Sequence, residues 1–186
     1  IMSSPKYVNL LKDKRCVVLG GTSGIGLAVA EALIEEGARV HIGSSSQDKV
    51  DATIKQLSDS SKQYNADRKR ISGTAVNLKG EKMEDSIRQF FKAIPKEWNG
   101  KVDHIIHTAG DSLQPNPIDQ VSYQSIISAG QVRFVSCVLT AKVGMEFWDK
   151  GGSYIVTSGS VSIKPIENWA VSRTLLSSFL LRQDGN

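Results

Sequence analysis

Apolar residues along this chain follow two alternating rhythms. Short continuous runs, such as Cys16-Val17-Val18-Leu19, are followed by stretches where apolar residues return every three or four positions. The first pattern fits a strand buried on both faces, and the second an amphipathic helix. Strands are predicted at about Arg15–Leu19, Arg39–Gly43, Ile71–Val76, Val102–His107 and Ser153–Thr157. Helices are predicted over Gly24–Gly37, Gln47 to about Lys62, Glu81–Ile94 and about Val121–Trp148, with a last helix from near Asn168. Val50, Ile54 and Leu57 share one face of the second, and Met83, Ile87, Phe90, Phe91 and Ile94 one face of the third. Gly37 ends the first helix as glycines often do, and Asp111–Pro117, rich in Pro and Asn, reads as a loop.

Strands alternating with helices imply parallel strands joined by right-handed crossovers. The expected fold class is therefore α/β: a Rossmann-type, doubly wound parallel sheet in three α/β/α layers, with residues 1–186 as a single domain. In such sheets a ligand lies beyond the strand carboxyl ends, where the strand order reverses.

Composition narrows the partners. The 186 residues are 40% hydrophobic and 23% charged, with a net charge of +4. These values suit a globular chain that meets a small polyanion, and they do not call for nucleic acid. The nearest basic cluster, Arg68-Lys69-Arg70, reads as a solvated loop. No apolar run approaches the length of a membrane span, and Ile1–Leu10 lacks the apolar centre of a signal peptide. The two cysteines, Cys16 and Cys137, read as small buried hydrophobes. With no metal-ligand spacing, the expectations are a reducing, cytoplasmic setting and no metal.

The run Gly20-Gly21-Thr22-Ser23-Gly24-Ile25-Gly26 joins the first strand to the first helix. Glycines let the backbone turn tightly and approach a phosphate, and the following helix points its N–H groups and positive dipole end there. Gly20, Thr22, Ser23, Gly24, Ile25 and Gly26 are therefore candidate cofactor contacts. An NAD-preferring site usually places an acid at the end of the second strand. Here Ser44-Ser45-Ser46 follow Gly43, offering hydroxyl donors and no charge opposing a 2′-phosphate. NADP(H) is the expected cofactor, with Lys49 one turn further on. The same serines could instead simply cap the second helix.

Taken together, these motifs resemble the short-chain dehydrogenase/reductase family over essentially the whole chain. The glycine loop matches the family's Thr-Gly-x-x-x-Gly-Ile-Gly. His107-Thr108-Ala109-Gly110 matches its Asn-Asn-Ala-Gly with both Asn lost, and Ser158-Gly159-Ser160 sits where its catalytic Ser stands. The resemblance implies that Asn77 and Leu78 lie beside the adenine, and that Ala109 and Gly110 let the chain pass the cofactor ribose. Ser158 is preferred to Ser160 as the active-site serine, because it ends the strand. The family's Tyr-x-x-x-Lys is replaced by Trp169-Ala170-Val171-Ser172-Arg173, and counting back nine residues from Lys142, where the family has Asn, gives Arg133. This pattern is similar to an atypical fungal branch of bifunctional reductase/Diels–Alderases, in which an Arg, a Trp and an acid replace the usual set. Arg133, Trp169 and Glu167 would play those parts. A complete family member would continue into two more strands and a substrate-covering segment after the point where this chain ends, which would leave strand five at an open edge.

Arg133 stands within Val132, Phe134 and Val135, where a charge needs a partner or ligand. Trp169 could be only a pocket wall, and Arg173 a solvated or surface-paired cation. His104 reads as structural and His107 as close to the ribose. Three functions remain open. The first is NADP(H)-dependent hydride transfer to an imine, iminium or carbonyl of a small organic substrate, using Arg133, Ser158, Glu167, Trp169 and Arg173. The second is a reductase that also directs a Diels–Alder cyclisation. The third is a dinucleotide-binding protein without catalysis. A homo-oligomer is compatible with each.

Overall fold

The structure, a computed structural model, describes residues 10–60, 70–111, 117–164, 166–169 and 171. In chain order the elements are β1 (Arg15–Leu19), α1 (Gly24–Glu35), β2 (Arg39–Ser44), α2 (Gln47–Ser60), β3 (Ile71–Ala75), α3 (Met83–Lys92), β4 (Val102–His107), α4 (Tyr123–Gly130), α5 (Ser136–Gly144) and β5 (Trp148–Val156). A π-helical turn, Gln131–Val135, links α4 to α5. The five strands form one sheet in the order β3-β2-β1-β4-β5. Every neighbouring pair is parallel, so the doubly wound α/β reading holds.

β1 is the central strand, and Cys16–Leu19 are fully buried. Successive side chains point to opposite faces of a sheet. Cys16 and Val18 therefore pack with Ala30, Leu33 and Ile34 of α1 and with Val50 and Leu57 of α2. Val17 and Leu19 pack with Ile87, Phe90 and Phe91 of α3 and with Val143 of α5. The two cores make the three layers.

A clamp closes the amino ends of three strands. Arg15 donates from its main-chain N and from Nε to Asp103 Oδ2 at 2.7 and 2.8 Å, and from Nη2 to Asp103 Oδ1 at 2.9 Å. The same Nη2 reaches Asp149 Oδ2 at 2.5 Å. Bidentate pairs of this kind are stronger than neutral hydrogen bonds. The Arg15 guanidinium holds the Asp103 carboxyl down at about 2, against some opposing desolvation.

Three expectations change. The long helix ends at Gly144 rather than Trp148, and β5 starts at Trp148 rather than Ser153. Phe147 and Trp148 continue a helical spacing in the sequence. In the fold, however, Phe147 O accepts from Val102 N at 2.8 Å and Trp148 Nε1 donates to Asp103 O at 3.2 Å, drawing the segment alongside β4. Although no unbroken apolar run is membrane-length, the continuous helix Tyr123–Gly144 is long and apolar enough to cross one, with 22 residues and a mean hydropathy of 1.3 in its most apolar stretch. A mean taken over many residues tolerates Arg133 and Lys142, which interrupt any unbroken run. Val132, Cys137 and Val143 of this helix are buried in the fold. His107, expected near the ribose, is 1% exposed and turned into the interior.

Two buried imidazoles give the fold a pH dependence. His41 shares a hydrogen bond of 2.8 Å with Ser72 Oγ and lies 4.9 Å from the Phe90 ring. His107 shares one of 3.0 Å with Ser136 Oγ. Burial pushes both from an ordinary 6.5 down to about 4. As pH falls, the unfolded chain takes up these protons first. Their contribution is therefore complete above about 6.5 and is lost as pH falls towards about 4. Urea unfolding between pH 7 and 5 is expected to show stability falling with a limiting slope of about 1.4 kcal/mol per pH unit for each imidazole. His41→Leu should remove one imidazole's share of that slope; a flat wild-type profile would contradict buried neutral imidazoles.

Candidate functional site

Strand register places the site. Leu19 lies opposite both Gly43 and His107, Ser44 opposite Ala75, and His107 opposite Val156. The chain thus leaves all five strands at one level. Gly20, Ser44, Val76, Thr108 and Thr157, at or just past the five strand ends, line a cleft of about 1040 Å³. The cleft straddles β1 and β4, where the strand order reverses, as expected for an open α/β sheet.

The glycine loop forms its floor. Gly20 has φ +87°, and a Cβ there would lie 2.6 Å from the Ala109 nitrogen. A Cβ at Gly26 would overlap the Gly20 carbonyl and Thr108 Oγ1. Thr108 Oγ1 in turn donates to Leu19 O at 3.0 Å. These contacts seat the start of α1 directly on the ends of β1 and β4. Gly20, Thr22, Ser23, Gly24, Ile25 and Gly26 all line the cleft. The first turn of α1 carries no acid, so its N–H groups face the cleft with no opposing charge on that turn.

At the β2 end, Thr22 Oγ1 donates to Ser44 Oγ at 2.9 Å. Ser44, Ser45, Lys49, Ala52 and Thr53 line this part of the cleft. Ser46 is outside the lining, and its carbonyl accepts the Val50 N–H at 3.2 Å as α2 begins. Asn77 and Leu78 border the cleft, as do Ala109 and Gly110. Asn77 Oδ1 already accepts the Lys79 N–H at 3.1 Å, leaving that oxygen one further lone pair.

At the β5 end stand Val132, Arg133, Thr157, Ser158 and Gly159. Arg133 is half-buried; its Nη2 donates to Asp111 O, and its Nε is buried with no partner among the described residues. Burial draws the guanidinium below its ordinary pKa, and the Asp111 charge opposes that. Lys79 Nζ is 3.2 Å from Asp111 Oδ1. Among the described residues the lining thus holds three cations, Lys49, Lys79 and Arg133, against one carboxylate, Asp111. Ser158 borders the cleft with its Oγ 3.5 Å from Ser162 Oγ, whereas Ser160 is outside the lining. Glu167 is exposed, the Trp169 N–H donates to Ile166 O at 3.3 Å, and neither lines the cleft. Arg173 lies outside the described residues.

The sequence patterns did not single out Lys79, Asp111 or Thr53. Lys79 and Asp111 meet across two loops, and no local spacing announces such a pair. Beneath the floor, Cys137 Sγ lies 3.5 Å from His107 Nδ1. Burial lifts this thiol to about 12, so at neutral pH it is an un-ionised packing group.

A family model described as an SDR-like Rossmann domain matches residues 7–181. Short-chain dehydrogenase/reductase ucsE of Acremonium sp is 36% identical over 162 residues, which is 86% of this chain and 61% of that protein. Short-chain dehydrogenase/reductase fsr5 of Gibberella fujikuroi is 33% identical over 176 residues, 92% of this chain and 64% of that one. The solved MalC Reductase/Diels-Alderase of Malbranchea aurantiaca superimposes with a TM-score of 0.79 at 29% identity, covering 91% of this chain and 65% of that one. A short chain dehydrogenase of Burkholderia cenocepacia, solved in complex with NADP, has a TM-score of 0.76 at 19% identity, over 90% and 64% of the two chains. That last likeness speaks for the fold. The chain spans about three-fifths of the length of the curated relatives named here.

The seating of α1 can be tested directly. Gly26→Ala forces a methyl group against backbone that cannot rotate away, and overpacking of this kind costs about 1–3 kcal/mol. A lowered melting temperature is expected in a thermal scan. An unchanged one would mean that the loop and β4 are not in this contact.

Proposed function

Since the chain belongs to the short-chain dehydrogenase/reductase family, through its SDR-like Rossmann domain, we propose that it binds NADP(H) and serves a reductase acting on a small organic imine, iminium or carbonyl compound. The observation that carries this reading is the cleft itself: a glycine-floored, cation-rich groove at the strand ends, with no carboxylate among the described residues that line it around Ser44 and Ser45. The residues present fit such a dinucleotide. The loop from Gly20 to Gly26 and the α1 N-terminus would hold the pyrophosphate. Ser44, Ser45 and Lys49 would take the 2′-phosphate, and Leu78, Ala109 and Gly110 would border the nucleoside. Ser46 opens α2 and would contribute through its backbone position.

When bound, NADPH supplies a hydride, which converts a cationic iminium to a neutral amine without a proton, but converts a carbonyl to an alkoxide that needs one. Arg133 suits the first case. A guanidinium stays protonated, so it is a poor proton donor and a good clamp for an acceptor oxygen. Ser158 adds a hydroxyl at the β5 end that can donate or accept. Glu167, Trp169 and Arg173 are assigned supporting roles: a carboxylate beside the cation, an indole against it, and a second positive charge. The likeness to a Reductase/Diels-Alderase favours a second activity on the same scaffold. Arg133 bonded to a substrate carbonyl oxygen, with the Trp169 indole N–H as a second donor, would lower the barrier to a cycloaddition by polarising the reacting π system.

Ligand-induced stabilisation tests the cofactor. NADPH should raise the melting temperature more than NADH at equal concentration, because stabilisation follows RT ln(1 + [L]/Kd). Ser44→Asp should reverse that order by placing a carboxylate against the 2′-phosphate. Equal shifts in the wild type would remove the 2′-phosphate from the reading.

Arg133→Ala separates the clamp from the cofactor. Oxidation of NADPH, followed at its absorbance over a panel of cyclic imines and dicarbonyls, should fall at least about 100-fold, the order seen when one oxyanion donor is lost. The NADPH-induced melting shift should be nearly unchanged. Full turnover in this variant would return Arg133 to a packing role.

A further inference from the structure

Arg133 sits in a seat built by two other loops. A Cβ at Gly110 would lie 2.8 Å from Arg133 Cζ and Nη1 and 2.9 Å from Nη2. The guanidinium therefore rests against bare backbone, and a side chain at this position would displace it. Its Nη2 is committed to the Asp111 carbonyl. The Asp111 carboxylate is held from the other side by Lys79, 3.2 Å away. The loop carrying Lys79 is also tied down, because the Gly80 N–H donates to Gln131 Oε1 at 3.0 Å. Gln131 begins the same π turn that carries Arg133. The contacts close a circuit from Arg133 through Asp111, Lys79, Gly80 and Gln131 back to Arg133.

We infer that Lys79 and Asp111 are positioning residues for Arg133, and that Gly110 is the seat on which its guanidinium rests. A buried donor without a partner is costly, and Arg133 Nε has none among the described residues. An unrestrained arginine would turn to satisfy that N–H; the circuit holds it in place. The ion pair clamps the Gly110–Asp111 backbone, and the backbone fixes the guanidinium. The inference rests on the reading of Arg133 as the group that meets the substrate's acceptor oxygen. It also gives Gly110 a second reason to lack a side chain, beside close passage of a cofactor. The Lys79 side chain is 60% exposed and that of Asp111 30%, so the clamp is of the surface kind and weakens with salt.

Proton–nitrogen spectra of the whole chain, recorded with neither cofactor nor substrate, read the seat directly. The Arg133 Nε–H is identified by its disappearance in Arg133→Lys, and in the wild type it should be a resolved, slowly exchanging signal. Lys79→Met should speed its exchange with solvent about 3- to 5-fold, the factor a partly exposed ion pair is worth. Raising NaCl to about 0.5 M on the wild type should act in the same direction. Lys79→Arg should restore slow exchange, a rescue that a merely space-filling role would not require. Gly110→Ala should move the signal further than any of these. A wild-type signal that is missing or fast, exchange that ignores Lys79→Met, or failure of Lys79→Arg to rescue would each overturn the inference. NADPH turnover by Arg133→Ala tests the hydride-transfer reading separately, so the two can fail independently.

Discussion

Register along β1 is the constraint on which the rest of the molecule depends. This strand is buried on both faces and paired on both edges, so it cannot slip without exchanging one core for the other. Cys16 and Val18 belong to the layer of α1 and α2, and Val17 and Leu19 to the layer of α3 and α5. A shift of one residue would reverse all four. At its amino end Arg15 ties β1 to Asp103 and Asp149, which locks the same register by charge. At its carboxyl end Leu19 O accepts from both the Thr108 N–H and Thr108 Oγ1. The cleft exists because these two ends agree.

Charge inside the cleft follows from what the fold leaves exposed. The buried polar groups beneath it, His107, Ser136 and Cys137, bond one another and are neutral at pH 7. They satisfy one another without adding field. The field comes from Lys49, Lys79, Arg133 and the amino end of α1, with Asp111 as counter-charge. Asp111 is spent locally: its carboxylate faces Lys79 and its carbonyl holds Arg133. The remaining positive character suits a polyphosphate at one end and an electron-rich oxygen at the other.

The π turn reconciles packing with chemistry. An α-helix turns about 100° per residue, and a π turn inserts one extra residue into a single turn. Val132 is buried in the core while Arg133, next to it, reaches the cleft. Ser136 and Cys137 then both face inward, bonding back to Val132 O and Arg133 O at 2.5 and 3.3 Å.

The sequence by itself determined the order of elements along the chain and the glycine floor. Those features rest on local periodicity and on residues with special backbone freedom, which a linear pattern carries in full. It also pointed to Arg133, because a charge inside an apolar run is a local anomaly. Tertiary structure alone decided where the long helix stops, since Phe147 and Trp148 keep helical spacing and are claimed by β4 through backbone and indole hydrogen bonds. It alone turned His107 inward to Ser136. It set Glu167 and Trp169 outside the lining of the cleft described here. It also brought Lys79 to Asp111, 32 residues away in the chain. Contacts of that kind form only after the sheet register has closed the distance, so no spacing along the chain can announce them.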